Sequence, residues 1–148
     1  GGQSAADQSL PQHSDRERNM STAKALTAGL IGAIATVAIS SLLPKPMALE
    51  LLSIVLGGIA FVYFGFVLMD GRRREMFIEL GNIGLTIALA LLGLWIAPYW
   101  LAAGYLAHGL WDAVHHPRGV QTKIPQWYIP FCLIYDWIVG GFVLLWWQ

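Results

Sequence analysis

The run His108-Gly-Leu-Trp-Asp112-Ala-Val-His115-His116-Pro117 holds most of the groups in this sequence that could do chemistry. On a helix, at about 100° per residue, His108, Asp112 and His115 fall within roughly 60° of one another, and His116 lies about 40° from Asp112. Imidazoles and carboxylates are the donors that bind zinc and non-haem iron, and a histidine and a carboxylate three or four residues apart on one helix can reach a single ion. His108 and His115 are about 10.5 Å apart along the helix axis, too far to share an ion directly. Asp112 is therefore the expected pivot. Either His108 with Asp136, or His115 and His116 with Glu79, would complete the site, and the remaining pair would support it or hold a second metal.

The same chemistry assigns further roles. Asp112 and Glu79 are the candidate catalytic carboxylates, with Glu79 as general base for a metal-bound water whose pKa the ion lowers towards neutrality. Trp111, Asn82 and Tyr135 are candidate walls of a substrate pocket. Zinc or iron is the expected ion, and haem is not expected, because His108, His115 and His116 lie on one segment. Two other uses of the cluster stay open: a structural polar network without metal, and an ion or proton pathway through Asp112 and Asp136.

These groups need an unusual setting. Of 148 residues, 56% are hydrophobic and 12% charged, and the formal net charge is zero. That balance points to a membrane protein and away from a nucleic-acid-binding surface. The single cysteine, Cys132, allows neither an intrachain disulfide nor a cysteine-rich metal site. A hydrocarbon core about 30 Å thick needs roughly 20 apolar residues, and five segments on that scale are expected: Ala23–Leu43, Ala48–Met69, Met76–Ile96, Pro98–His116 and Trp127–Trp147. The break at Pro98 interrupts a continuous apolar run, where a proline can either start a helix or kink one. Gly1–Asn19, polar and ahead of Met20, reads as an expression remnant or disordered tail, leaving 20–148 as one transmembrane domain.

The expected fold is thus an all-α helical bundle of five transmembrane helices. Lys24, Arg72, Arg73, Arg74, Arg118 and Lys123 fall on one side and Lys45 on the other, so the N-terminus is expected in the cytoplasm. A bacterial cytoplasmic membrane is the expected location and membrane lipids are the expected partners. Small residues in the rows Ala25/Gly29/Ala33, Gly84/Ala88 and Ala103/Ala107 are expected to be packing seams within the bundle, with homo-oligomer contacts as the alternative. In hydrocarbon a central aspartate costs about 2.5–3.5 kcal/mol even on the lenient insertion scale. The acidic groups should therefore turn inward. Asp136 and His108, each roughly 12–14 Å from the same end of its helix, should lie at similar depth. Polar positions on the other spans, Tyr63 and Asp70 on the second and Glu79, Asn82 and Thr86 on the third, converge on that end.

The pattern His-x3-Asp-x2-His-His, about ten residues of one helix together with Asp136, resembles the histidine boxes of membrane lipid hydroxylases and desaturases. It is also similar to the helix-borne His/Asp zinc sites of membrane amidohydrolases such as alkaline ceramidases, and to bacterial membrane proteins that cleave β-carotene. The resemblance implies a metal-dependent membrane hydrolase or oxygenase acting on an apolar lipid or isoprenoid-like substrate. With histidines on one helix only, Asp or Glu would substitute for some of the usual histidine ligands.

Overall fold

The computed structural model describes residues 10–115 and 122–148. Five helices follow one another: α1 (Leu10–Leu42), α2 (Lys45–Asp70), α3 (Arg73–Trp95), α4 (Pro98–His115) and α5 (Tyr128–Trp146). No strand occurs among the described residues. Four of the helices, α1 from Ser21 onward, α2, α3 and α5, are long and apolar enough to cross a membrane. The remaining one is α4, whose buried face carries His108, Asp112 and His115.

Local sequence explains the breaks. Pro44 precedes α2 and Pro46 sits in its first turn, where a missing N–H leaves no helical bond unmade. Gly71 closes α2 in the left-handed conformation, φ 71°, with its N–H on the carbonyl of Val67. Pro98 separates two helices. The amides of Ile96 and Ala97 both return to the carbonyl of Leu92, and the chain then folds back as α4. This turn is tight: a Cβ on Gly93 would stand 2.7 Å from the backbone nitrogen of Leu101. α1 continues upstream to Leu10, into the segment read from sequence as a tail.

The bundle has two recognisable ends. At one, Lys45 Nζ at the start of α2 donates to the Trp146 carbonyl, and the Tyr99 hydroxyl at the start of α4 donates to that of Trp147. At the other, the Asp70 carboxylate at the end of α2 accepts both a fork from Arg72 and the backbone N–H of Lys123, from the connection into α5. α4 therefore runs between the same two ends as α2, α3 and α5.

Close approach of backbones fixes how the helices pack, since lipid supplies no hydrophobic drive between them. On α1, Ala25 and Ala33 are buried, and a Cβ on Gly29 would strike the Phe131 carbonyl of α5. The expected seams on α3 and α4 lie elsewhere. Gly84, Ala88, Ala103 and Ala107 are exposed, and Gly104, Gly109 and Gly140 make the close contacts instead. A stripe of small residues marks a helix face that can be approached, without saying which face has a neighbour.

Candidate metal centre

α4 is positioned by its glycines. A Cβ on Gly104 would meet Leu56 of α2 and Leu89 of α3, one on Gly109 would run into the Trp137 ring of α5, and Gly140 of α5 faces Leu106. With these contacts made, α4 turns Leu101, Tyr105, His108 and Asp112 into the bundle, all fully buried. Tyr105 donates its hydroxyl to the Leu52 carbonyl, 2.7 Å away, which ties α4 to α2 just below the ionisable groups.

His108, Asp112 and Asp136 come together there. Their ligating atoms, one from each residue, all lie within 4.8 Å of one another, and none of the three side chains is exposed. His108 Nδ1 stands 2.8 Å from Asp136 Oδ2 and 3.7 Å from Asp112 Oδ2. Tyr63 of α2, also fully buried, donates its hydroxyl to Asp112 Oδ1. Its ring meets those of His108 and Tyr128 edge-on, with centroids 5.2 and 5.9 Å apart. Each member of the triad keeps one buried polar atom without a hydrogen-bond partner among the described residues: His108 Nε2, Asp112 Oδ2 and Asp136 Oδ1. Buried polar atoms are nearly always satisfied, so three in one cluster need an explanation. Two carboxylates and one imidazole, gathered in the interior with donor atoms to spare, fit a divalent cation, whose charge two aspartates would balance.

A second group adjoins the first. Glu79 of α3 accepts from Trp111 Nε1 at 3.0 Å and from the Thr122 hydroxyl at 2.6 Å, and its Oε1 lies 2.7 Å from His115 Nε2. His115 Nδ1 lies 2.9 Å from the Trp111 carbonyl, which can only accept. Nδ1 must therefore carry a proton, and a further proton sits between Nε2 and the carboxylate. The Tyr63 ring, 5.6 Å from that of His115, lies between the two groups.

Of the two completions expected for Asp112, the one through His108 and Asp136 forms the triad, while Glu79 and His115 pair with each other. Trp111 reaches Glu79. Asn82 is half-buried, with Nδ2 lacking a partner among the described residues. Tyr135 turns to α1, where its hydroxyl meets Thr36 Oγ1 at 2.8 Å, rather than to the triad. His116 lies outside the described residues, as does Arg118. Sequence reasoning placed Tyr63 among the polar positions converging on this end without pairing it with Asp112, and passed over Thr122. A tyrosine in the middle of an otherwise apolar helix was the available signal for the first, and a lone loop threonine offered none.

No curated protein and no solved structure matches the chain. Residues 23–147, most of the sequence, match a single family described as a family of unknown function, DUF6010, and the chain belongs to that family.

Proposed function

We propose that this protein is a small metal-dependent membrane enzyme acting on an apolar lipid or isoprenoid-like substrate. His108, Asp112 and Asp136 would hold a divalent ion, zinc or iron, with the Tyr63 hydroxyl hydrogen-bonded to Asp112. Such an ion would acidify a water at the site, and Glu79, the carboxylate that His115, Trp111 and Thr122 hold in place, is the candidate general base for it. The observation that carries the reading is a fully buried His/Asp/Asp group whose ligating atoms lie within 4.8 Å of one another, each residue also keeping one polar atom without a partner among the described residues. A substrate from the bilayer suits a buried triad enclosed by helices that carry exposed apolar side chains. α4 is read as a fifth span, because its 18 residues, about 27 Å of helix, connect the same two ends as its neighbours. The N-terminal side is read as the cytoplasmic one, since Lys24, Arg72, Arg73, Arg74 and Lys123 fall there against Lys45 opposite. A bacterial cytoplasmic membrane suits this arrangement.

Elemental analysis of detergent-purified protein tests the proposal. About one zinc, iron or manganese per chain is expected, and its loss in Asp112→Ala. A protein that carries no such metal and takes none up would remove the reading.

One observation favours a second reading, ion or proton transfer. The buried groups form a series, Asp136–His108, Asp112–Tyr63, then His115–Glu79–Thr122, leading to the connection between α4 and α5. Ion flux in proteoliposomes that disappears in Asp136→Asn would select it over catalysis.

A further inference from the structure

Tyr63 does more to the triad than fill space. Its hydroxyl has one partner, Asp112 Oδ1, and by donating there it leaves Oδ2 as the oxygen turned towards His108, 3.7 Å from Nδ1. Asp136 is restricted in a parallel way: Oδ2 lies against His108 Nδ1 and Oδ1 is the atom left without a partner. Each aspartate thus has one oxygen engaged in a hydrogen bond and one without a partner among the described residues, an arrangement that favours one-point attachment to an ion. Three one-point donors, one of them nitrogen, stand in a place where none of the three side chains meets solvent.

Cations differ in what they require of such a place. Calcium takes six to eight oxygens, often through two-point carboxylates, and magnesium demands an octahedron and keeps several of its waters. A buried triad of one-point donors satisfies neither. Zinc and its neighbours in the first transition row accept four ligands, commonly three from the protein and one open position, and favour an imidazole in the set. From this geometry, and resting on the metal-centre reading above, we infer that Tyr63 is a positioning residue that holds Asp112 to one-point attachment, and that the triad selects a four-coordinate transition-metal dication such as zinc against calcium and magnesium.

The test uses the full chain in detergent, with the metal salts alone as probes. Wild-type protein is expected to bind about one Zn2+ per chain, to resist competition by a thousand-fold excess of Ca2+ or Mg2+, and to give with Co2+ the intense visible absorption of a four-coordinate ion. Y63F is expected to bind Zn2+ at least tenfold more weakly and to give a weaker, shifted Co2+ spectrum, signs of a changed ligand geometry that a merely structural role would not produce. Tyr63→His, which keeps a ring donor, is expected to bind less tightly than wild type and more tightly than Y63F. An unchanged Zn2+ affinity and Co2+ spectrum in both variants would overturn the role of Tyr63. Effective competition by Ca2+ or Mg2+ in wild-type protein would overturn the selectivity. Failure of wild-type protein to bind any of these ions would instead strike the metal-centre reading itself, so the two failures are distinguishable.

Discussion

His108 Nδ1 and Asp136 Oδ2 lie 2.8 Å apart across the interface of α4 and α5, with neither side chain exposed. A pair so placed fastens two helices and also commits them. Removing one member leaves the other as a buried group without a counterpart, which typically costs about 3–5 kcal/mol, whereas replacing both by apolar residues is often neutral. Asp136→Leu alone is expected to lower stability by an amount in that range. His108→Leu combined with Asp136→Leu should recover much of it while abolishing metal uptake. Denaturation in mixed micelles, read as a double-mutant cycle, checks this, and additive losses would show that the pair is not coupled.

The turn between α3 and α4 is the place where a single methyl group should matter most. In Gly93→Ala the new Cβ would press on the Leu101 backbone, which has no flexible end to move aside. A loss of about 1–3 kcal/mol is expected, as for other overpacked sites. Gly84→Ala, in the middle of the adjoining helix with nothing within 4 Å, should be neutral or slightly stabilising, because alanine is the better helix former. Thermal unfolding of the two variants side by side is the measurement; equal losses would mean that the turn is looser than described.

Asp70 joins two connections at the arginine-rich end of the bundle, accepting from Arg72 and from the Lys123 amide. Asp70→Ala should lower global stability by about 1–2 kcal/mol, since the covered carboxylate accepts from both connections while its partner Arg72 is partly exposed. The Lys123 amide, deprived of its acceptor, should exchange with solvent faster. Hydrogen exchange followed by mass spectrometry reads this directly. An unchanged rate there would indicate that the connection is held by other contacts.

Much of the fold is legible in the sequence because lipid imposes a length: blocks of about 20 apolar residues, punctuated by Pro44, the Asp70–Arg74 run and Pro98, mark out the five helices. The meeting of His108, Asp112 and Asp136 is legible for a related reason. Spacing on α4 and equal depth on α5 depend only on helical rise and turn, both fixed by backbone geometry. What depends on the rotation of one helix against another is not readable in this way. The choice of Asp136 over Glu79 as partner of Asp112, the turning of Tyr135 towards Thr36, and the outward face of Gly84 and Ala88 all follow from which glycines happen to be covered. Tyr63 is legible as a polar position facing this end, but its pairing with Asp112 is not, since that depends on how α2 is turned.

The fold-back at Gly93 and Leu101 also bears on how the protein enters its membrane. The helix bearing the buried histidines and Asp112 is the one whose own sequence favours insertion least, and a lone central aspartate weighs against partitioning by a few kcal/mol. If α4 spans the membrane as proposed, so short a turn would let it enter lipid paired with α3 as one half of a hairpin, with its polar face already sheltered. Insertion of α4 would then be led by the apolar helix that precedes it.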